Sequence, residues 1–209
     1  YGREVLETIA GDAVALGGVE KEKRLDKVLE SLMAGNTIIL AEETAEAVIT
    51  TTKGGEKRSI KEPENQQAFR GSREGFIEAL DTNISLVRRI IKNPNLWVEK
   101  TTMGSVTKTD VAIMYINGIC DPKTVKEVKK RMESIEIDSI LESGYIEQFI
   151  EDTVFTTFPT VYHTERPDMV AGNLLEGRIA IFVDGTPFVL LVPAVFIQFF
   201  QSVEDYYSR

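Results

Sequence analysis

The sequence predicts an α/β fold built from two small mixed-sheet subdomains. Apolar residues recur with a helical period in several segments, short β-rich runs separate those segments, and turn-forming residues bound the runs. Strands that alternate with helices and hairpins favour mixed sheets over a purely parallel winding. We predict a first α/β subdomain over 1–62, a linker strap with a connecting helix over 63–94, and a second α/β subdomain over 95–209.

The first subdomain is predicted from one amphipathic helix and one hairpin. A short helix and a strand near 12–16 precede them. Five apolar side chains at i, i+3, i+4, i+7 and i+8 form one stripe of a helix over 21–34, closed by Gly35. They are Leu25, Val28, Leu29, Leu32 and Met33. The β-rich runs 37–41 and 47–52 predict a hairpin.

A glycine-containing turn over 53–58 and a polar strap over 61–67 lead into the connecting helix. We predict that helix over 72–92, because Ser72 can cap its start and the Asn93-Pro94 pair stops it. Its apolar stripe consists of Phe76, Leu80, Ile84, Val87 and Ile91.

The second subdomain begins with two predicted strands, over 96–103 and 110–116. Asp121-Pro122 predicts a helix start, because Asp accepts from exposed amides and Pro suits the first turn. The buried side of this helix is predicted to hold Val125, Val128 and Met132.

Further elements are predicted towards the carboxyl end. They are a brief strand at 135–137, a helix over 142–152, a strand at 161–163, a helix opened by Pro167, and a terminal helix over 194–203. Strands over 178–183 and 187–192 are predicted to form a hairpin. Asp184-Gly185 would form its two-residue reversal, which needs a positive φ.

Composition excludes some classes of function. The chain has 209 residues, a formal net charge of -9 and a pI near 4.8, which argues against nucleic-acid binding by general charge. A local basic patch stays open. The chain begins at Tyr1 without a charged and then apolar leader, which indicates a piece of a longer protein. The apolar run 187–200 is too short to span a bilayer and is interrupted by Pro193.

Catalytic and metal chemistry find little support. Cys120 and His163 are the single Cys and the single His, so a catalytic pair is disfavoured and a structural Cys120 is favoured. No cluster has the ligand spacing of a metal site, and we predict neither a metal nor a cofactor. Four carboxylates that could attract a cation are more typical of a solvated helix face. They are Glu142, Glu147, Glu151 and Asp152.

An arginine cluster surrounds the connecting helix. Arg88 and Arg89 in its last turns and Glu74 in its first turn would favour the helix dipole, by ~0.3–1 kcal/mol each. Arg70 and Arg73 lie at the opposite end, where cations oppose the dipole. They either pair with carboxylates across a subdomain seam, the alternative we favour, or bind an anion. The predicted latch or ligand-binding residues are Arg70, Arg73, Glu74, Asn83 and Arg88.

Several motifs in fixed order carry a family resemblance over about 35–209. They are EPENQQAFRGSREGF, TDVAIMYINGI, IEID followed by ESGYIEQFIED, HTERPD, and LLEGRIAIFVDGTPFVLLVP. This chain resembles the amino-terminal soluble domain of the A subunit of GerA-type spore germinant receptors. Ser72 stands where the family commonly has Pro, and both residues suit a helix start.

The resemblance implies a receptor in the spore inner membrane that senses amino acids, sugars or nucleosides. Its A subunit continues past 204–207 into membrane helices and works with B and C subunits, with this domain on the cytoplasmic, core-facing side. The family is not known for covalent chemistry, so no enzyme activity is implied. Two roles stay open. The first is a part in receptor assembly, nutrient sensing or signal transmission. The second is the binding of a small molecule between the subdomains. A small nutrient ligand and a second copy of the chain are further candidate partners.

Overall fold

The computed structural model describes residues 19–42, 44–50, 74–135, 137–140, 142–150 and 161–194. The chain divides into two compact units, Tyr1–Arg58 with Lys92–Pro94 and Ser59–Ile91 with Asn95–Arg209. None of the helices in the described ranges has the length and hydrophobicity that a bilayer crossing requires. Some predicted features lie outside those ranges: the elements before 19, the turn at 53–58, the strap at 61–67, the Ser72 cap and the helix beyond 194.

The smaller unit contains an antiparallel three-stranded sheet and one helix. Its elements are β1 (Val19–Glu22), α1 (Leu25–Met33), β2 (Thr37–Leu40) and β3 (Ala47–Thr50). The central strand β3 pairs with both β1 and β2, which confirms the predicted hairpin. Lys21 and Glu22 belong to β1, so the helix begins later than predicted, at Leu25. On α1, Val28 is buried, whereas Leu25 is 71% exposed.

The larger unit contains a five-stranded sheet with helices on both faces. Its elements are α2 (Leu80–Ile90), β4 (Leu96–Met103), β5 (Thr109–Ile116), α3 (Pro122–Glu133), α4 (Ser143–Ile150), β6 (Tyr162–Thr164), α5 (Pro167–Leu175), β7 (Ile179–Val183) and β8 (Val189–Val192). The strand order is β4-β5-β7-β8-β6. Every described strand pair is antiparallel. The predicted α/β class is confirmed, with antiparallel rather than mixed sheets.

Alternating residues of β5 divide the core of the larger unit between two faces. Ala112 and Met114 pack in the cluster that contains the apolar stripe of α2 and part of α5. Val111 and Ile113 pack in the opposite cluster, with the buried sides of α3 and α4. Because helices cover both faces, every residue of β7 and β8 is buried, and these strands appear as continuous apolar runs in the sequence.

Two predictions for the strands of this unit were wrong in detail. Ile135 and Ile137 are not in a strand. The hairpin of β7 and β8 closes its ladder at the pair Ile181 and Leu190, so the reversal is longer than two residues. Gly185 does adopt a positive φ of 86°. In this longer loop, Asp184 accepts from the N–H of Leu80 and Gly185 donates to the C=O of Glu78.

Candidate functional site

Residues 74–79 form an extended segment in front of α2. This segment is called the strap from here on and is distinct from the polar strap predicted over 61–67. The predicted helix over 72–92 was therefore wrong in its first part. The stripe residue Phe76 is nevertheless buried with the other four. Local sequence favoured a helix here, but tertiary hydrogen bonds to this backbone replace the helical ones. Those bonds come from α2, from the β7–β8 loop and from the segment before α5.

Asn83 on α2 is the inner anchor of the strap. Its Oδ1 accepts from the N–H of Ile77 at 2.9 Å, and its Nδ2 donates to the C=O of the same residue. The side chain is buried, with the residue only 1% exposed. Because a buried backbone amide left without a partner is costly, this pair of bonds holds the strap in an extended conformation.

The β7–β8 loop supplies the start of α2 with a distant cap. Asp184 accepts from the N–H of Leu80 at 3.1 Å through Oδ1. Gly185 donates its N–H to the C=O of Glu78 at 2.8 Å. The residue before the helix, Ala79, has no capping side chain, so a carboxylate 104 positions away performs that role.

Phe76 connects the strap to α5. Its N–H donates to the C=O of Glu165 at 2.8 Å, and its ring contacts that of Phe182 edge to face at 5.7 Å. An edge-to-face aromatic pair adds roughly 0.5–1.5 kcal/mol beyond the burial of its surface. The strap is therefore fixed by both backbone hydrogen bonds and core packing.

A buried arginine follows the strap contact at the start of α5. Arg166 is 1% exposed, and its guanidinium meets Asp168 through two bonds, Nε to Oδ1 at 3.1 Å and Nη2 to Oδ2 at 2.6 Å. Planar bidentate pairing suits Arg and a carboxylate. Sequence reasoning missed this pair. The ERPD segment places opposite charges on both sides of a helix-opening Pro167, but no periodicity in it predicts burial.

Glu74 and the two arginines at the end of α2 are arranged differently from the prediction. Arg88 and Arg89 do occupy the last turn of α2, where they favour the dipole. Glu74 lies outside the helix, so its predicted dipole role was wrong. It pairs instead with Arg89 at 3.2 Å, with both side chains about half exposed. Arg88 is half-buried and makes no ion pair within the described part of the chain.

Glu74 and Asn83 thus both hold the strap against α2, Glu74 through Arg89 and Asn83 through Ile77. Arg70 and Arg73 themselves lie outside the described residues.

A second feature of the larger unit is an open cleft of about 700 Å³ between β4 and the carboxyl-terminal half of α3. Glu99 accepts from the hydroxyl of Tyr115 at 2.6 Å and pairs with Nζ of Lys129 at 2.6 Å. The ammonium of Lys129 and the Tyr115 hydroxyl lower the pKa of Glu99. Burial, followed by the adjacent Glu99, raises the pKa of Tyr115 to about 12. The apolar lining consists of Met103, Ile113, Met132, Ile135 and Ile137.

Cys120 and His163 lie far apart in the sheet order. Cys120 is buried after β5, and burial followed by the nearby Asp121 raises its pKa. His163 is exposed on β6 and stacks on Tyr162. Since β7 and β8 separate β5 from β6, three strand spacings, about 14 Å, lie between the strand that precedes Cys120 and the strand that holds His163. Within the described ranges no three His, Cys, Asp or Glu side chains form a group able to hold a metal.

Comparison with known proteins gives concordant matches. The family model described as Bacillus/Clostridium GerA spore germination protein matches residues 3–209. The chain is 67% identical over 204 residues to spore germination protein KA of Bacillus subtilis, which covers 98% of this chain and 38% of that protein. It is 47% identical over 198 residues to the uncharacterized membrane protein YfkQ of Bacillus subtilis, covering 95% of this chain and 39% of that protein.

A solved structure matches as well. The N-terminal domain of the A subunit of the Bacillus megaterium spore germinant receptor GerK3 superposes with a TM-score of 0.70 at 49% identity, over 93% of this chain and 70% of that one. The chain spans about two fifths of the length of the curated relatives that it matches. It belongs to the Bacillus/Clostridium GerA spore germination protein family.

Proposed function

We propose that this chain is the amino-terminal domain of a germinant receptor A subunit and that it transmits a nutrient signal within the assembled receptor. The observation that carries the proposal is the similarity to the GerK3 A-subunit domain, at 49% identity over 93% of this chain. In this proposal the domain takes part in receptor assembly and in nutrient sensing without catalysing a reaction.

The proposed partners are the B and C subunits of the receptor and the membrane part of the same A subunit. Support for a membrane-attached protein comes from the relative named as a membrane protein and from the short share of each relative that this chain covers. The proposed location is the spore inner membrane, with this domain on the cytoplasmic, core-facing side.

The strap is the proposed transmitting element. It leads from the segment over 51–73 into the core of the larger unit, and Asn83 fixes it from within. Arg70 and Arg73 remain predicted latch or anion-binding residues, together with Glu74, Asn83 and Arg88. A force applied to the strap would be passed to α2 through Asn83 and to the segment before α5 through Phe76, because both side chains are buried and both residues form hydrogen bonds between these segments.

Spores that carry single substitutions in this protein would test the proposal. We expect Arg70→Ala, Arg73→Ala and Asn83→Ala to slow germination in response to the nutrient that this receptor serves, measured as loss of optical density. Ser85→Ala, on the exposed side of the same helix, should respond normally. Immunoblots would confirm equal amounts of receptor, and a normal response of spores lacking the whole chain would contradict the proposed role.

A second candidate function, small-molecule binding, is favoured by the cleft beside β4. Its volume of about 700 Å³ lies in the range of ligand sites, and it combines an apolar floor with the polar groups of Glu99 and Lys129. Titration calorimetry with amino acids, glucose and nucleosides would test it. Binding heat that disappears in Met132→Trp would place the ligand in this cleft, and no heat with any of these compounds would contradict it.

A further inference from the structure

The helix α3 carries an exposed stripe of three lysines. Lys123, Lys126 and Lys130 recur at i, i+3 and i+7, and all three are exposed. At 3.6 residues per turn this stripe lies about 180° from the buried side of the helix. That buried side is formed by Val125, Val128 and Met132. The lysines therefore lie on the outer side of α3.

The charges that flank the stripe are neutralised. Lys129 pairs with Glu99 at 2.6 Å, and Arg131 pairs with Glu127 at 2.8 Å. The three stripe lysines make no ion pair within the described residues. The segment Pro122–Glu133 contains five cations and two anions, so its net charge is +3 in a chain of net charge -9.

Among the described residues, the other carboxylates near α3 make no ion pair with the stripe lysines. Asp121 is occupied as the helix cap and accepts from the N–H of Lys123 at 3.1 Å. Glu133 lies one turn beyond the last stripe lysine on the same side of the helix, and it makes no ion pair with these lysines in the described ranges. Glu142 immediately precedes the neighbouring α4 and Glu147 belongs to it, and neither forms an ion pair with a stripe lysine in the part of the chain that the structure describes.

The chemistry of the stripe suits an extended anionic surface. A Lys ammonium is a compact point charge without the bidentate geometry of Arg, so three of them in a row on a convex helix do not form a pocket for a single anion. They match the distributed charge of anionic lipid headgroups, where each Lys strengthens binding by about fivefold.

We propose that α3 docks on the anionic lipid headgroups of the membrane that holds the rest of the protein. The inference rests on the proposed membrane attachment. That attachment would keep α3 near the surface at a high effective concentration, so a weak contact of three lysines is sufficient despite the overall negative charge. The face of the sheet that carries α3 and α4 would then be turned towards the bilayer.

Lysine footprinting tests this contact without germination. The chain would carry a carboxyl-terminal hexahistidine tag and be tethered to vesicles through a nickel-chelating lipid. The vesicles would contain phosphatidylcholine alone or an equal mixture with phosphatidylglycerol. Acetylation rates of individual lysines would be read by mass spectrometry, with the exposed Lys21, Lys92 and Lys108 as internal references.

We expect the phosphatidylglycerol mixture to slow acetylation of the stripe lysines severalfold relative to the references, and high salt to restore it. The proposal would be overturned if the ratio of the acetylation rates of stripe and reference lysines were the same on both vesicle types. Since the tether removes any limit set by affinity, that result could not be attributed to weak binding.

Charge reversal provides a matched comparison. K123E/K126E/K130E should lower partitioning of the untethered chain to phosphatidylglycerol vesicles at low salt by on the order of 100-fold. K21E/K92E/K108E makes the same change in net charge away from α3 and should have a much smaller effect. Equal losses in the two variants would contradict a local docking surface. If phosphatidylglycerol did not slow acetylation of the stripe lysines, and spores with K123E/K126E/K130E germinated poorly, the lipid contact would be overturned. That result would favour an acidic protein surface as the partner of α3 and would leave the proposed receptor role intact.

Discussion

The side chain of Asn83 makes two hydrogen bonds with the backbone of one residue, Ile77, accepting from its N–H at 2.9 Å and donating to its C=O. The pair lies at the boundary between the strap and α2. It replaces helical hydrogen bonds that this segment would otherwise form, so this amide contributes, with the cap from Asp184, to where α2 begins.

Asn83→Ala should therefore destabilise the chain by on the order of 3 kcal/mol, because it leaves two backbone groups in a partly buried setting without these partners. Urea denaturation followed by circular dichroism would measure the change. Ser85→Ala on the same helix removes an exposed hydroxyl that bonds to the C=O of Asp81, and its effect should stay within about 0.5 kcal/mol. Similar midpoints for the two variants would show that the Asn83 bonds do not hold the strap.

The two ion pairs at the strap and α5 should differ strongly in their contribution to stability. Asp168→Asn removes the charge that faces the buried guanidinium of Arg166 and should cost about 3 kcal/mol. Glu74→Gln breaks a pair with Arg89 that is half exposed, and its cost should be about 0–1 kcal/mol. Both values can be obtained by chemical denaturation. A small effect of Asp168→Asn would mean that the remaining hydrogen bonds suffice for Arg166.

Tyr115 should make stability fall at alkaline pH. Its pKa is raised to about 12 in the folded chain, whereas a Tyr in the unfolded chain has a pKa of about 10. Between these values the unfolded state loses a proton that the folded state retains. The stabilisation is complete below pH 10 and lost as pH rises through about 12, a change on the order of 2 kcal/mol.

Absorbance titration of the phenolate provides the readout for this prediction. Wild-type protein should contain a tyrosine that titrates late, and Tyr115→Phe should remove that component. Glu99→Gln should shift it to lower pH, because the negative charge beside the hydroxyl contributes to the elevation. A late component that persists in Tyr115→Phe would assign the raised pKa to another tyrosine.

Two glycines should respond to alanine in opposite directions. Gly177 ends α5 with a φ of 87°, and an added Cβ would lie 3.1 Å from the carbonyl oxygen of Ile119. Its N–H donates to the C=O of Leu174, and the next N–H donates to the C=O of Asn173, which is the Schellman arrangement. Gly177→Ala should lower stability by at least ~1 kcal/mol.

Gly144 is the matched control for that change. It is the second residue of α4, where an added Cβ would meet only the flexible carboxylate of Glu142, at 3.4 Å. Gly144→Ala should raise stability by about 0.5–1 kcal/mol through helix propensity. Thermal unfolding of the two variants would check both signs, and a destabilised Gly144→Ala would contradict the open position described for that residue.

The sequence alone was sufficient for much of the fold. The bounds of β4 agree with the prediction, the start of α3 follows from Asp121-Pro122, and α5 opens at Pro167 as expected. These features depend on capping chemistry and on periodic burial, which act over a few neighbouring residues. The motifs that carry the resemblance to the germinant receptor family are equally readable, because they are strings of residues in fixed order.

The candidate site was only partly predictable for the same physical reason. The burial of Phe76 followed from its apolar stripe, but its extended backbone depends on Asn83, Glu165 and the loop at Asp184, which are distant in sequence. The burial of Arg166 depends on the elements around α5 and has no local signal. Local propensity and family motifs thus determined the class of the fold, most of its elements and the family. Only the tertiary structure decided that the strap is not helical and which charges are buried, because those outcomes depend on hydrogen bonds and packing between distant segments.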